Sequence, residues 1–324
     1  MHSIKEYTQE FLGYLDKKTV NREPANLYEP IKYILGLGGK RLRPVLTLMS
    51  AEIFGESHTK ALDAALAVEV FHNFSLVHDD IMDDAPLRRG KETVHVKWDI
   101  NTGILSGDAM LITAYQLFEN YDPAIFRELA QLFSKTALEV CEGQQYDMDF
   151  ESREDVTLPE YLKMINYKTA VLVGASLKMG AVVARASSAC KENIYEFGRN
   201  LGIAFQLQDD YLDAFGDPEK FGKQVGGDII ENKKTFLYLV AHERLPQSES
   251  LQLEHLFTIS PSDPTQKVET VKQHYEISGA TQAIKDEIKK YTEKAFAVLN
   301  ELDVEEEKKA LLRDFGESLM KRKV

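Results

Sequence analysis

The stretch KALDAALAVEVFHNFSLVHDDIMDD (60–84) decides the fold, because it combines a long apolar helix with a terminal cluster of carboxylates. Apolar side chains recur there at steps of three and four residues, the period of an amphipathic α-helix: Leu62, Leu66, Val70, Phe74 and Val77. The stretch ends in D-D-x-x-D, and residues i, i+1 and i+4 crowd one face of a helical turn. Like charges held so closely repel one another, and a bound cation would neutralise them.

A second stretch, GIAFQLQDDYLDAFGD (202–217), repeats this pattern of an apolar helical run followed by D-D-x-x-D. Carboxylates with room for water favour hard divalent cations, and Mg²⁺ typically joins protein carboxylates to substrate phosphates. A single acidic helix end is most often just solvated, so one motif alone is weak support for a metal. Two matching motifs in one chain predict a magnesium site.

Helical periodicity dominates the rest of the chain, and alternating strand-like runs are rare. The polar, proline-punctuated stretch from Pro246 to Pro264 is predicted to be a peripheral connection. There is no sign of an inter-domain linker or a short internal repeat, so we predict an all-α protein, one large helical bundle forming a single domain over 1–324. The predicted helices are 3–19, 42–55, 60–83, 104–119, 123–150, 157–185, 192–215, 233–244, 265–278, 281–300 and 304–321.

Composition excludes several classes of protein. Hydrophobic residues make up 44% of the 324 residues, enough for a large core and too many for a disordered chain. The net charge of −13 argues against a nucleic-acid binder, whose surface would be basic. The two cysteines, Cys141 and Cys190, lack paired spacing, which favours a reduced, cytoplasmic setting. Neither a signal peptide nor a membrane span is predicted, because Lys178 interrupts the most apolar stretch, 169–184.

Basic residues follow both acidic motifs: Arg88 and Arg89 after the first, and Lys223, Lys233 and Lys234 after the second. A glycine-rich loop over 36–43 (GLGGKRLR) adds further cations. Carboxylates that hold Mg²⁺ beside arginines and lysines are typical of polyphosphate sites, where guanidinium groups bind the phosphate oxygens in bidentate fashion. Taken alone, each basic patch is also consistent with a solvated face of weak ion pairs, and no P-loop motif occurs.

The ordered set of motifs resembles that of the trans-prenyltransferases, the head-to-tail isoprenyl diphosphate synthases. The set covers about residues 30 to 240: GGKRLRP (38–44), HNFSLVHDDIMDDAPLRRG (72–90), GQQYDM (143–148), YKTA (167–170), GIAFQLQDDYLDAFGD (202–217) and GK...GGDI (222–229). The resemblance implies the isoprenoid synthase fold with a deep central cavity, and a homodimer. It also implies a Mg²⁺-dependent condensation of an allylic prenyl diphosphate with isopentenyl diphosphate, with three Mg²⁺ ions.

The resemblance assigns roles to residues at the matching positions. The implied metal ligands are Asp79, Asp83 and Asp209. The implied supporting polar residues are Asp80, Asp210, Asp213, Gln144 and Asp147. Isopentenyl diphosphate would be bound by Lys40, Arg43, His72 and Arg89. The catalytic residues around the allylic diphosphate would be Arg88, Lys168, Thr169, Gln206, Lys223 and Lys233.

In this family, product length depends on side chains upstream of the first acidic motif. Phe74 and Ser75 lie five and four residues before Asp79, and the motif carries no insertion. One aromatic residue at these places resembles the geranylgeranyl (C20) synthases more than the farnesyl (C15) synthases, so a C15–C20 product is expected, with C20 favoured. An ideal helical wheel places Phe74 well around from the aspartates, so a plain core role for it stays open. Phe71 and Val68, at three-residue steps before Phe74, are the alternative barriers.

Two other functions share some of these features. A terpene cyclase uses the same aspartate–magnesium chemistry, but generally lacks the GGKRLRP loop and a second D-D-x-x-D, both of which occur here. A non-catalytic regulatory subunit of a prenyl synthase often loses one acidic motif, whereas this chain keeps both.

The basic C-terminal residues Lys321, Arg322 and Lys323 loosely match a tail that closes over the second diphosphate in some relatives, but a solvated terminus fits them better.

Overall fold

The computed structural model describes residues 1–217 and 225–320, and helices account for most of them. A 3₁₀ turn (His58–Ala61) leads into α4, and a π-helical turn (Asn166–Ala170) joins α8 to α9. A small antiparallel hairpin pairs β1 (Leu87–Arg88) with β2 (Lys91–Glu92). The all-α prediction is confirmed, with helices α1 (Ile4–Lys18), α2 (Ala25–Gly36), α3 (Leu42–Ile53), α4 (Leu62–Met82), α5 (Val94–Lys97), α6 (Ile100–Phe118), α7 (Pro123–Ser152), α8 (Leu158–Ile165), α9 (Val171–Val183), α10 (Ser188–Phe215), α11 (Gly227–Ile230), α12 (Phe236–Arg244), α13 (Gln247–Leu256), α14 (Thr265–Ile277), α15 (Ala280–Asn300) and α16 (Glu306–Met320).

The chain packs into two compact units, the first made of Met1–Thr136 and Ala175–Tyr195 and the second of Ala137–Gly174 and Glu196–Val324. In the first unit, α4 is buried along most of its length and packs against α3 and α6. Glycine allows α6 to approach closely, because a Cβ at Gly107 would lie 2.2 Å from Nε2 of His78. The helix that carries the first acidic motif is therefore a central element of its unit.

In the second unit, α10 contributes to an apolar core that also includes residues of α8, α12, α14 and α15. Leu207 of α10, Leu237 of α12 and Ile284 of α15 are among its fully buried members. The second acidic motif thus also lies on a helix anchored by core packing. Within the described parts of the chain, none of the helices has both the length and the apolar character needed to cross a lipid bilayer.

Helices α2 and α13 lie where the sequence predicted no helix, and α13 falls inside the connection predicted from Pro246 to Pro264. Pro24 and Pro246 stand at the N-caps of these helices, where a missing N–H costs nothing, although proline usually indicates a break. Helix α13 also has seven polar residues among its ten, and Leu253 is its buried residue, so its hydrophobic period is weak.

The prediction of a helix over 157–185 is confirmed over 158–183, but the structure divides it into α8 and α9, which the π-helical turn Asn166–Ala170 joins. A π-helical turn accommodates an extra residue in the helix and re-aims the side chains that follow. The loop after the first acidic motif forms the β1–β2 hairpin. Its two turn residues, Arg89 and Gly90, have φ of 53° and 71°, which suits a two-residue turn between twisted strands.

Candidate active site

The first acidic motif lies at the C-terminal end of α4. Asp79 and Asp80 occupy its last turn, and Asp83 is the C-cap, with its N–H donating to the Asp79 carbonyl oxygen at 2.9 Å. The C-terminal end of a helix carries partial negative charge, so carboxylates there are unfavourable. The location therefore adds to the mutual repulsion of the carboxylates, and both effects would be relieved by a cation.

Asp80 is held by Arg88. Nε of Arg88 donates to Oδ1 and Oδ2 of Asp80 at 2.7 and 2.9 Å, and Nη2 lies 2.6 Å from Oδ1. Burial raises the pKa of the Asp80 carboxyl, which is 1% exposed, while Arg88 opposes that rise. Nη2 also lies 3.7 Å from Oδ2 of Asp79. Arg88 thus binds two members of the motif, and can offer an anion only the N–H groups that Asp80 does not use.

The glycine-rich loop and the hairpin meet at Arg89. Its guanidinium donates to the carbonyl oxygen of Gly38 and lies against Gly39, where an added Cβ would come within 2.9 Å of the Arg89 Cζ atom. The φ values of Gly38 and Gly39 are 81° and 117°, a region that side chains rarely adopt. The backbone conformation therefore favours glycine at both positions, and a side chain at Gly39 would displace the end of Arg89.

Arg41 anchors the glycine-rich loop. It is 5% exposed and donates from Nη1 to the Glu69 carboxylate and from Nη2 to the Leu35 carbonyl oxygen. Asn73 donates to the same Glu69 oxygen at 3.0 Å. Of the loop's three cations, Arg41 is therefore committed to this buried ion pair and is not available to a ligand.

Arg43 and His72, which the sequence assigned to one substrate, are in contact. Nη1 of Arg43 lies 3.3 Å from Nε2 of His72. Burial, reinforced by the charges of Arg43 and Arg89, lowers the pKa of His72 well below its ordinary value, so the imidazole is neutral. Because a guanidinium can only donate, Nε2 accepts and the proton resides on Nδ1. Among the described residues, Nε of Arg43 is buried and has no hydrogen-bond partner, so it is a donor suited to an anion.

The predicted chain-length residues lie in the first unit and pack differently. Phe71 is 1% exposed and its ring meets those of Phe74 and Phe133 at centroid distances of 5.5 and 5.0 Å. Phe74 is 9% exposed and contacts His78 at 4.7 Å. Ser75 donates to the carbonyl oxygen of His72 at 2.8 Å. Phe71 therefore belongs to a closed aromatic cluster, whereas Phe74 lies at its margin.

The second acidic motif occupies the last two turns of α10, in the second unit. Asp210 is 5% exposed and accepts hydrogen bonds from the Tyr161 hydroxyl and, at 3.1 Å, from Nε2 of Gln206. Burial, with the charges of Asp228 and Asp209, raises the pKa of Asp210 well above its ordinary value, and the two hydrogen bonds oppose that rise. This motif resembles the first in having one buried, hydrogen-bonded carboxylate, and its Asp213 lies in the last turn of the helix, where negative charge is unfavourable.

The π-helical turn positions Lys168 and Thr169. A Cβ on Gly143 of α7 would lie 2.2 Å from the Lys168 nitrogen, and a Cβ on Gly202 of α10 would lie 2.8 Å from Cα of Ala170. The turn is thus in direct backbone contact with both helices, and only glycine leaves room for it. In this position Lys168 Nζ lies 2.5 Å from Oδ2 of Asp147, and Thr169 donates to Gln206 at 3.1 Å.

These side chains line a cavity of about 140 Å³ in the second unit. Its polar lining includes Asp147, Lys168, Thr169, Gln206, Asp210, Asp228 and Lys233. The structure therefore brings together most of the residues that the sequence assigned to the allylic diphosphate and its metals in this half of the chain. Gln144 contributes no lining atom, but its amide nitrogen is buried without a hydrogen-bond partner in the described residues.

Asp228 and Tyr161 are site residues that the sequence analysis missed. The Asp228 N–H donates to Oδ2 of Asp213 at 2.9 Å, and both Asp228 and Tyr161 line the cavity. Asp228 belongs to the segment GGDI (226–229), which follows the second acidic motif closely in the sequence. That short separation could have indicated that Asp228 lies near the motif. Nothing in the sequence around Tyr161 indicates that its hydroxyl reaches Asp210, which lies 49 positions further along the chain.

The predicted lysines of the second unit differ in their surroundings. Lys233 lies 2.7 Å from Glu231, and although burial lowers its pKa, the carboxylates of Glu231, Asp228 and Asp147 raise it above its ordinary value. Lys234 instead donates to the carbonyl oxygens of Arg153 and Phe150, so it ties backbone segments together. Lys223 lies outside the described residues, as do the basic residues at 321–323.

The chain is similar to known proteins along most of its length. Residues 24–277 match the family model described as polyprenyl synthetase. A geranylgeranyl diphosphate synthase of Methanosarcina mazei is 41% identical over 243 residues, which cover 74% of this chain and 75% of that protein. A crystal structure of a geranylgeranyl pyrophosphate synthase matches with a TM-score of 0.96 and 56% identity over 100% of both chains. That of a geranylgeranyl pyrophosphate synthase from Corynebacterium glutamicum, complexed with isoprenyl diphosphate and magnesium, matches with a TM-score of 0.85 and 25% identity, covering 99% and 98% of the two chains.

Proposed function

Because the chain belongs to the polyprenyl synthetase family, we propose that it catalyses the head-to-tail condensation of an allylic prenyl diphosphate with isopentenyl diphosphate. The observation that carries the proposal is the repeated construction of the two D-D-x-x-D motifs. Each motif lies towards the C-terminal end of its helix, and one carboxylate of each is buried and hydrogen-bonded. Arg88 contacts the buried carboxylate of the first motif, Asp80, and Lys168 and Lys233 line the same cavity as Asp210 of the second. Such clusters suit a metal-bound diphosphate.

The donor sets fit Mg²⁺, because they consist of carboxylate oxygens with amides and hydroxyls nearby. Asp79, Asp83 and Asp209 would hold three ions. Five polar residues would support them: Asp80, Asp210, Asp213, Gln144 and Asp147. When bound, Mg²⁺ supplies positive charge that stabilises the diphosphate as it departs.

The chain's own cations would hold the two diphosphates. Lys168, Lys233, Lys223 and the free N–H groups of Arg88 would bind the allylic diphosphate, with Thr169 and Gln206 fixing the position of Lys168 through the π-helical turn. Arg43, Arg89 and Lys40 would bind isopentenyl diphosphate. Neutral His72 would orient Arg43 by accepting from Nη1, which leaves Nε of Arg43 for a phosphate oxygen.

In the proposed reaction, the carbon–oxygen bond of the allylic diphosphate breaks and its electron pair leaves with the diphosphate. The π-electrons of isopentenyl diphosphate then form a bond to the allylic cation, and a proton is lost to restore a double bond. The released diphosphate is the proposed base. The new product is five carbons longer than the allylic substrate, and no Ser or Cys nucleophile is required.

We propose a C15–C20 product, with C20 geranylgeranyl diphosphate favoured. The single aromatic residue upstream of the first motif, Phe74, supports this length, as does the similarity to synthases named for geranylgeranyl diphosphate. The proposed enzyme functions as a cytoplasmic homodimer in which each chain is one functional domain. Free cysteines at positions 141 and 190 support a reducing compartment.

The deciding experiment incubates purified protein with Mg²⁺, isopentenyl diphosphate and each labelled allylic starter in turn. The expected result is diphosphate release and a C20 product, with loss of activity in EDTA. A cyclic hydrocarbon formed without consumption of isopentenyl diphosphate would instead identify a terpene cyclase. Absence of diphosphate release with every starter would exclude a synthase, and stimulation of a separate catalytic chain would then identify a regulatory subunit.

A further inference from the structure

A cluster of nitrogen and oxygen ligands lies at the start of the chain, in residues that belong to neither acidic motif. It consists of His2, Glu52 and His58, and one ligand atom from each lies within 4.8 Å of the others. Nδ1 of His2 and Nδ1 of His58 lie 2.9 and 3.3 Å from the same oxygen, Oε2 of Glu52. We propose that this cluster is a transition-metal site of the zinc type.

The spacing of these atoms suits a tetrahedral ion. Zinc binds imidazole nitrogen and carboxylate oxygen at about 2.0–2.1 Å, so neighbouring ligands in a tetrahedron are separated by about 3.3 Å. The two nitrogen–oxygen distances are therefore close to those of a filled site. Two imidazoles and one carboxylate favour Zn²⁺, Co²⁺ or Cu²⁺ over Mg²⁺, which prefers oxygen ligands in octahedral geometry.

The buried ligand of the cluster is already oriented. His58 is 7% exposed, and its Nε2 lies 2.5 Å from Oε2 of Glu10. A proton on Nε2 that is donated to Glu10 leaves the lone pair of Nδ1 directed at the Glu52 side of the cluster. A carboxylate that accepts from the second nitrogen of a ligating histidine is a recurrent support of zinc sites, because it fixes the tautomer and ring orientation.

Glu52 is held as well. The Tyr7 hydroxyl donates to Oε2 of Glu52 at 2.8 Å, which fixes the position of this carboxylate. His2 is the most exposed ligand, with 44% of its side chain accessible, which leaves that side open for entry of the metal and for a water as fourth ligand. The site thus combines one buried, pre-oriented histidine with one accessible histidine.

Metal binding would join three separate segments of the first unit. His2 precedes Ser3, the N-cap of α1, while Glu52 lies in α3 and His58 in the 3₁₀ turn before α4. The buried residues of α1 are Tyr7, Phe11 and Leu15, so few side chains anchor this helix. A ligand that binds only the folded protein raises its stability by mass action, so the metal would stabilise α1 in place.

The test is a titration of the tag-free full-length chain with Zn²⁺, carried out in excess Mg²⁺ to occupy the acidic motifs. The expected result is one Zn²⁺ per chain, at least ten-fold weaker binding in His2→Gln and His58→Gln, and unchanged binding in His255→Gln, whose histidine is exposed in the second unit. In place of Zn²⁺, Co²⁺ should give the strong visible absorption of a tetrahedral site, and His2→Gln should abolish it.

His2→Gln is the decisive variant, because a half-exposed side chain can be replaced without endangering the fold. Zn²⁺ should raise the thermal midpoint of the native chain but not that of His2→Gln, while Mg²⁺-supported prenyl transfer stays the same in both. Failure of the native chain to bind Zn²⁺, or native affinity in both His2→Gln and His58→Gln, would mean a hydrogen-bonded cluster only. Either result would leave the proposed synthase activity untouched, since no residue of the cluster takes part in it.

Discussion

At the scale of single residues, Asp79 lies in the last turn of α4, where a helix tolerates negative charge least, and Asp209 lies one turn before the last in α10. Replacing either by Ala removes a proposed metal ligand and also relieves the repulsion at the helix end. We therefore expect Asp79→Ala and Asp209→Ala to lose at least about 1,000-fold in turnover, a loss typical of removing metal and electrostatic stabilisation, while helical circular dichroism is retained. Asp286→Ala, at an exposed position of α15, is the matched control. Near-normal activity in both site variants would contradict the metal assignment.

His72 predicts a pH dependence of stability. Burial and the neighbouring arginines lower its pKa in the folded state, so between that pKa and about 6.5 the unfolded chain binds the extra proton. The contribution of His72 is fully present above pH of about 6.5 and is lost as the pH falls, by up to about 1.4 kcal/mol per pH unit. Urea unfolding at pH 7.5, 6.5 and 5.5 should therefore give a shallower loss for His72→Asn than for the native chain. Parallel curves would contradict the prediction.

Phe74 predicts product length. Because Phe74 lies at the margin of the aromatic cluster, Phe74→Ala should open space and yield products of C25 or longer, measured by chromatography of the dephosphorylated prenols. Phe71→Ala removes a ring from inside the cluster and should mainly reduce stability, by about 3–5 kcal/mol. Phe236→Ala makes a similar cavity in the second unit and should leave the length unchanged. An unaltered distribution of product lengths in Phe74→Ala would show that Phe74 does not limit chain length. Longer products from Phe71→Ala alone would instead assign that role to Phe71, one helical turn earlier.

The sequence predicted the groups of interacting residues where those residues lie close together in the chain. The D-D-x-x-D motifs and the Arg-Arg pair each lie within one short segment, and the carboxylates that the sequence singled out do lie beside cations. Tyr161 and Arg41 show where such reading fails. The partners of Tyr161 and Arg41 are Asp210 and Glu69, which are 49 and 28 positions away, so their roles depend on packing that no local pattern encodes.

At the scale of elements, the π-helical turn also could not be predicted from local sequence. The segment 157–185 has helical composition and periodicity, and nothing local marks an extra residue at Asn166–Ala170. The determinant is a contact between elements, since Gly143 of α7 and Gly202 of α10 allow the turn's backbone to approach. Helices α2 and α13 were missed for a different reason, because prolines at their N-caps resemble helix breakers.

Gly143→Ala tests whether this turn positions the site. A Cβ there would lie 2.2 Å from the Lys168 nitrogen, so the turn must move, and with it Lys168 and Thr169. We expect turnover to fall by at least about 100-fold, the scale of a 1 Å misplacement, together with a lower thermal midpoint. Gly13→Ala is the matched control, because a Cβ in the middle of α1 meets nothing within 4 Å. It should be neutral or stabilise by up to about 1 kcal/mol, and equal effects of the two changes would contradict the prediction.

At the scale of the whole molecule, the net charge of −13 means that a diphosphate meets an overall repulsive field unless divalent cations accompany it. We therefore expect diphosphate and Mg²⁺ together to raise the thermal midpoint by several degrees, as about 2.7 kcal/mol of linkage at 100-fold saturation implies. Either component alone should have little effect, and the Asp79→Ala, Asp209→Ala double variant should not respond. An equal rise with diphosphate in EDTA would contradict this dependence.

The hairpin turn at Arg89 has a consequence for how this sequence can change. Arg89 adopts a φ of 53°, a conformation that asparagine and glycine accept more readily than arginine. Selection for stability alone would therefore replace Arg89 by one of these residues and, in doing so, delete the guanidinium that lies against Gly39. Arginine should therefore persist at this position only in lineages where selection maintains substrate binding. Replacement by asparagine would indicate a chain in which that binding is no longer under selection.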